Sequence, residues 1–331
     1  MWSFVHSRRR SETAVAPAPV RAVRHYRTHS RAGRIARGIT LFIASVIFLA
    51  YTLAPVVWLV SSSFQNEHEI VSKPPHWIPH EPTLQNFAAI FTAKEKTVTY
   101  ETRRATDPAS GGFVPSTASN LIPALINSVI VASAVVVLNL LVGVPSAYAM
   151  AKIRFRGRQA SIYSILATRV IPDIALVVPF FLFIKNLGLL DSLWALIITY
   201  LAVTVPFSVF ILVSYFESLP DELDKAARVD GCSRWQTMTR VYLPLALPSL
   251  VAVVLFAFLA SWNEFLLALM FTQTPKSQTL PIIVASFTSD FTISFSFINA
   301  AGVLAIIPPV VLALTFERYI VSGLTAGAIK G

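Results

Sequence analysis

The side chains best placed to act on another molecule lie in one polar segment, Leu219-Pro-Asp-Glu-Leu-Asp-Lys-Ala-Ala-Arg-Val-Asp-Gly-Cys-Ser-Arg-Trp-Gln-Thr-Met-Thr-Arg-Val-Tyr-Leu-Pro244, set between two long apolar runs. Asp221 with Lys225, and Asp224 with Arg228, are acid-before-base pairs four residues apart, a spacing that supports one face of a helix. Reaction chemistry is missing from the chain. No G-x-x-x-x-G-K-[ST] phosphate loop and no G-x-S-x-G nucleophile turn occurs, and His68-Glu69 opens like a zinc motif without a second histidine at the required spacing. Cys232 is the single cysteine, so no internal disulfide framework exists. The segment reads as a docking element rather than a catalytic one, with no metal ligand set in view.

A second group of polar side chains sits inside apolar runs. Arg169 and Asp173 are four residues apart with Pro172 between them. Charges at such depth are costly and face a bundle interior or a watery cavity; a structural ion pair beside a proline kink and a role in a translocation path are both open. Asn263 and Glu264 lie between Trp262 and Phe265. Aromatic faces beside hydrogen-bonding groups suit a sugar, and interhelical hydrogen bonding is the alternative.

The elements that must position these groups follow from composition. Of 331 residues, 55% are hydrophobic and 13% charged, against roughly a quarter charged in soluble domains. About 20 apolar residues cross a bilayer as a helix, and six runs qualify: Ile39–Ser61, Ile122–Ala149, Ser161–Ile184, Leu193–Tyr215, Leu245–Phe271 and Phe291–Phe316. An even number of crossings puts both termini on one side. The basic residues choose the side: nine arginines in the N-terminal tail, then Lys152, Arg154, Arg156 and Arg158, then Lys225, Arg228, Arg234 and Arg240, then Arg318 and Lys330. The other face holds only Lys73, Lys94, Lys96, Arg103, Arg104, Lys185 and Lys276. The first face is therefore expected to be cytoplasmic. The net charge of +10 is largely this asymmetry, so the partner it implies is a lipid bilayer and not a nucleic acid.

The expected organisation is a basic, disordered cytoplasmic tail over residues 1–38, a six-helix domain over 39–320, and a cytoplasmic C-terminal tail over 321–331. Within the domain lie an outside loop at 64–121, holding a polar insertion at Lys94–Pro115, and the cytoplasmic loop at 216–244. In that loop Ser218 is the expected cap of a first helix, with Pro220, Asp221 and Glu222 in its first turn and Gly231 as its stop. Ser233 caps a second helix running past Trp235 towards Tyr242, broken by Pro244.

Lys225-Ala-Ala-Arg-Val-Asp-Gly231, then Trp235-Gln236 and Leu243-Pro244, resembles the EAA loop of ABC importer permeases. Further stretches resemble the MalG-like, carbohydrate-importing branch: Pro75-His76-Trp77-Ile78-Pro79, Pro82-Thr83-Leu84-Gln85-Asn86, Arg169-Val-Ile-Pro172, Ser261-Trp-Asn-Glu-Phe265 and Gly323-Leu-Thr-Ala-Gly-Ala-Ile-Lys-Gly331. The resemblance implies an all-α membrane protein of the type I importer permease fold, with six transmembrane helices and both termini cytoplasmic, in a bacterial inner membrane. It implies a second homologous permease, two ATPase subunits that carry the ATP and Mg, and an extracytoplasmic sugar-binding protein. Asp224, Lys225, Ala226, Ala227, Asp230, Gly231, Trp235, Leu243 and Pro244 would couple to the ATPase. Gly323, Thr325, Gly327, Lys330 and Gly331 would form a tail touching it, and Thr272–Asp290 would meet the binding protein. Arg169, Asp173, Trp262, Asn263 and Glu264 are the candidate substrate path. Lys225 departs from the family, which usually has an acid there; Asp224 would replace it only through a rotation of roughly 100° about the helix axis. The competing class, an ion-gradient-driven secondary transporter, calls for more intramembrane acids and for broken helices in paired halves.

Overall fold

The protein is described from a computed structural model that covers residues 31–92, 116–287 and 295–328. Residues 1–30, the Lys94–Pro115 insertion, and Lys330 and Gly331 lie outside the described residues. Every regular element among the described residues is helical. The helices are α1 Arg31–Ser63, α2 Glu67–Ile70, α3 Gln85–Thr92, α4 Leu121–Lys152, α5 Arg158–Thr168, α6 Asp173–Asn186, α7 Leu193–Ser218, α8 Glu222–Val229, α9 Arg234–Thr237, α10 Leu247–Trp262, α11 Leu266–Phe271, α12 Leu280–Ser286 and α13 Phe295–Ala328.

The chain divides into a unit ending at Ala54 and a second unit, Pro55–Gly331. In the first unit α1 begins at Arg31, inside the stretch expected to be an unstructured tail. Its apolar side chains, among them Leu41, Phe42, Phe48 and Tyr51, are exposed, as suits a helix whose solvent is hydrocarbon. In the second unit α4 is the central element, packed against α7 and α10. Three apolar clusters run along it. Leu121, Ala124 and Ala132 meet Ile90, Phe258, Trp262, Phe287 and Phe297 at its start. Val131 and Val135 meet Ile184, Tyr200, Leu267 and Phe271 further along. Tyr148 meets Leu212, Phe216, Met238 and Tyr242 at its end. Asn139 donates to Thr204 Oγ1 at 2.9 Å across the buried α4–α7 contact, giving two polar groups a partner where none comes from solvent.

Among the described residues four helices are long and apolar enough to cross a membrane, and the number rises to six if each of two bent pairs makes one crossing. The expected third span is not a single helix: α5 and α6 meet at 99° around Arg169–Pro172. Pro172 has extended backbone and offers no amide to a continuing ladder. The expected fifth span is likewise divided. α10 ends at Trp262 and α11 starts at Leu266, while α10 also meets the preceding Arg234–Leu245 helix at 82°. Two bent helix pairs in an apolar bundle mean that breaks in helices do not by themselves separate the transporter classes.

The last helix continues through Gly323, Thr325 and Gly327 to Ala328, into the stretch expected as the C-terminal tail. Gly302 in α13 approaches α1 closely: a Cβ there would lie 3.1 Å from Leu59 Cδ1.

Candidate functional site

The polar segment folds as two short helices at the end of the bundle that holds the basic residues following α4. Its first helix does not use Ser218 as cap. Ser218 closes α7, its hydroxyl donating to the Tyr215 carbonyl at 2.7 Å. Leu219 is extended, at φ −80° and ψ 139°, because the residue before a proline is pushed out of helical geometry. The chain turns at Pro220 and α8 begins with Asp221 as its N-cap residue. At the other end Gly231 has φ +77°, its N–H donates to the Arg228 carbonyl at 3.1 Å, and the Cys232 N–H donates to the Ala227 carbonyl at 2.9 Å. These are the paired bonds of a Schellman stop, and glycine supplies the left-handed residue it needs.

Ser233 caps α9 as the sequence implies. Its hydroxyl accepts from the Gln236 N–H at 3.3 Å and its own N–H donates to Gln236 Oε1 at 2.8 Å, a reciprocal capping box. Helical backbone then continues as a π-helical turn, Met238–Tyr242, and a last turn, Leu243–Leu245. Pro244 is therefore not the breaker. It falls at the start of that last turn, where a missing amide costs little, and the chain bends at Ala246.

What fixes this element to the bundle is a nearly buried lysine. The Lys152 side chain is 4% exposed; its ammonium donates to the Leu219 carbonyl and to Asp221 Oδ1, both at 2.8 Å, and lies 5.5 Å from the Tyr242 ring centroid. Asp221 thus pairs with Lys152 rather than with Lys225. The hydrogen bond from Lys152 and its charge hold the Asp221 carboxyl below the ordinary aspartate range. Asp224 does form the expected pair with Arg228, at 2.6 Å, and its other oxygen accepts from Tyr148 Oη at 3.3 Å. Tyr148 packs edge-on to Phe216 and Tyr242. Arg158 reaches the Met150 and Ala151 carbonyls and Glu217, joining α4, α5 and α7. These charged groups line a cavity of about 540 Å³ that includes Lys152, Arg154, Asp221, Asp224, Lys225 and Arg234.

The outer surface of the element is left open. Lys225, Ala226, Asp230, Gly231 and Pro244 are exposed, as are Val229 and Trp235, while Ala227 is buried and Leu243 half-buried. Val229 is 88% exposed and Trp235 65%, two apolar side chains on an otherwise polar element. The pair of helices is capped at both internal ends and leaves open a face that is apolar and cationic.

Residues 139–325 match the model of the binding-protein-dependent transport system inner membrane component family. The chain belongs to this family. It is 35% identical over 88% of its length to the sulfoquinovosyl glycerol transport system permease protein SmoH of Agrobacterium fabrum, covering 93% of that protein. It is also 35% identical over 90% of its length to the trehalose/maltose transport system permease protein MalG of Thermococcus litoralis, covering 98% of it. A chain of a bacterial ABC transporter that imports the acidic polysaccharide alginate has the same fold, with a TM-score of 0.72 at 23% identity over 88% of this chain and 99% of that one. A second structure of an alginate ABC transporter, in complex with an alginate pentasaccharide-bound periplasmic protein, superposes with a TM-score of 0.56 at 16% identity over 87% of this chain and 96% of that one. The chain is an inner-membrane permease component, and such subunits are not themselves enzymes.

Four of the five residues of the candidate substrate path have partners elsewhere in the bundle. Arg169 caps the end of α5 and donates to the Val203 carbonyl at 3.3 Å, its guanidinium 5.2 Å from the Phe207 ring centroid. Asp173 begins α6 beyond the 99° bend, so the two charges do not form the i,i+4 ion pair that a straight helix would give. Trp262 is buried and stacked on Phe258 at 5.5 Å. Glu264 accepts from Tyr200 Oη at 2.7 Å and from the Leu267 and Ala268 N–H groups at 2.8 and 3.0 Å, which makes it the cap that starts α11. Asn263 is exposed and donates to the Leu259 carbonyl at 3.0 Å.

The Thr272–Asp290 loop is described to Phe287 and is tied down at its start. Asp191 accepts from the Gln273 and Thr274 N–H groups at 2.8 and 2.9 Å, from Thr274 Oγ1 at 2.7 Å, and from Ser277 Oγ. Burial alone would raise the Asp191 carboxyl, but these bonds outweigh it and hold the group well below the usual carboxylate range. Asn127 donates to the Lys276 and Gln278 carbonyls. One constellation escaped the sequence: Glu69, His76 and His80 converge in the loop after α1. Their separations of seven and four residues would share one face of a helix, but Pro74, Pro75 and Pro79 exclude a helix here and hide the turn that joins them.

Proposed function

We propose that this chain is the permease subunit of an ATP-driven, binding-protein-dependent importer of a sugar or related polyol. It pairs with a second homologous permease, rests on two ATPase subunits that carry the ATP and Mg, and receives substrate from an extracytoplasmic sugar-binding protein. In this reading the chain crosses six times, with both termini and the α8–α9 element in the cytoplasm, the side favoured by the arginine distribution. ATP binding moves α8 and α9, and Lys152, Arg158 and Glu217 pass that motion to α4, α5 and α7.

The observation that carries the reading is the α8–α9 element itself: capped at both internal ends, anchored by Lys152, and open on the face that bears Lys225, Ala226, Val229 and Trp235. A sugar cargo is supported by the relatives named for trehalose/maltose and sulfoquinovosyl glycerol. The decisive experiment is purification with the natural partner subunits and a panel of sugars tested for binding-protein-dependent stimulation of ATP hydrolysis. Stimulation by one sugar class is expected. Stimulation only by some other solute class would end the carbohydrate assignment, and ATP-independent uptake driven by an ion gradient would end the importer assignment.

A further inference from the structure

We propose that Glu69, His76 and His80 form a binding site for a divalent transition-metal ion of borderline softness, with zinc as the probe. Two imidazoles and one carboxylate, with one coordination position left for water, are a donor set such ions prefer. One ligand atom from each residue lies within 4.8 Å of the others, and His80 Nδ1 is 3.0 Å from Glu69 Oε1. A tetrahedral ion with bonds of about 2.0–2.1 Å sets its ligand atoms roughly 3.3 Å apart. Closing the site therefore needs side-chain adjustment and no refolding of the loop.

The backbone that carries these ligands is already fixed. Buried Gln65 donates to the His76 carbonyl at 2.7 Å, Ser61 Oγ donates to the Trp77 carbonyl, and Trp77 packs edge-on to Trp58 at 5.2 Å. The His80 N–H donates to Glu69 Oε1 at 2.7 Å, and Ser72 Oγ, 3.3 Å from His76 Nδ1, orients that ring. Little ordering remains to oppose binding, the usual obstacle for ligands on a loop. Access is through His80, whose side chain is 69% exposed, while Glu69, at 12%, lies beneath it.

The position gives the ion a structural consequence. Two residues before Glu69, on the same helical turn, the Glu67 carboxylate accepts from the Phe295 and Ser296 N–H groups, both at 3.0 Å, at the start of α13. An ion at Glu69 thus stiffens the junction between the exit of α1 and the entry of α13. The cluster without an ion is an ordinary histidine–glutamate contact, and the experiment separates the two.

The full chain, purified in detergent with its partner subunits and without a histidine tag, is titrated with zinc and its bound metal measured after gel filtration. One zinc per chain is expected. Glu69→Gln and His80→Ala should each weaken binding by more than the roughly 10–100-fold that loss of an outer partner costs, and His68→Ala should leave it unchanged. Cobalt in the unaltered protein should give the intense visible bands of a four-coordinate ion, a readout that needs no variant. Substoichiometric zinc in the unaltered protein, zinc retained in His80→Ala, or a six-coordinate cobalt spectrum would overturn the proposal.

Discussion

Replacing Gly231 isolates the backbone requirement of the α8–α9 turn from its packing. The residue sits at φ +77°, and a Cβ added there meets nothing within 4 Å, so a substitution within this chain costs backbone energy and no clash. Left-handed geometry costs an L-residue with a Cβ about 1–2 kcal/mol, and asparagine least among them. Such a cost changes the ratio of formed to unformed turn by a factor of roughly 5–30. A β-branched side chain is worse still at positive φ. When the turn opens, the bonds from Gly231 to Arg228 and from Cys232 to Ala227 go with it, and α9 loses its fixed direction from α8. Coupled uptake in proteoliposomes, normalised to the amount of chain in the membrane, should therefore fall in the order Gly, Asn, Ala, Val. Gly231→Val with unimpaired uptake would refute the role of the turn. Gly231→Asn as damaged as Gly231→Val would refute the backbone argument, since side-chain bulk at the docking face would then be the cause.

Lys152→Met keeps the volume but strips the charge-assisted bond to the Leu219 carbonyl, worth about 1.5–3 kcal/mol; its second partner, Asp221, is 73% exposed and adds little. Amide hydrogen exchange over residues 219–225 should accelerate, and unchanged protection would count against the anchoring role. For Asp191 the folded carboxyl lies below its unfolded value of 3.8, so its contribution is present above that value and is lost only as pH falls through the lower, folded one. The loop starting at Gln273 should stay closed to protease from about pH 5 upward in the unaltered chain, and Asp191→Asn should open it throughout that range. Opening of the unaltered loop near neutral pH would contradict this.

The long apolar runs were legible because hydrocarbon selects for length and composition, and α4 and α7 follow their expected spans closely. The breaks were not, because hydropathy averages over them. Arg169 and Glu264 interrupt runs that remain apolar overall, and what divides the spans is local: Pro172 in extended backbone, and a carboxylate accepting two amides at the start of α11. Glu264 illustrates the ambiguity most directly. A polar group among aromatic residues suits a sugar, yet the same carboxylate is occupied by three donors from its own chain. In the α8–α9 element the cap at Ser233 and the stop at Gly231 were readable, being set by residues three apart or by glycine alone. Ser218 misled because Pro220 acts one residue ahead of itself, holding Leu219 out of the helix.

The departure at Lys225 takes on a definite physical form. The carboxylate one position earlier is not a spare acid waiting to be turned outward. Asp224 is 16% exposed, held at 2.6 Å by Arg228 and touched by Tyr148 Oη, and Tyr148 belongs to the aromatic cluster that seats α8 on α4 and α7. Rotating α8 by roughly 100° to present Asp224 would break the contact with Tyr148 and carry buried Ala227 out of its packing, while the pair with Arg228, on the same helix, would turn with it. The element therefore keeps its orientation and offers a cation, Lys225, beside Ala226 and Val229 on the open face. For the proposed docking on an ATPase subunit, electrostatic complementarity would call for a neutral or acidic group opposite Lys225, because two cations held together at an interface oppose association. In that proposal the apolar part of the face, with Val229 and Trp235 exposed, would supply the area to be buried, so the charge at Lys225 would select among partners while the capped helix pair supplies the shape.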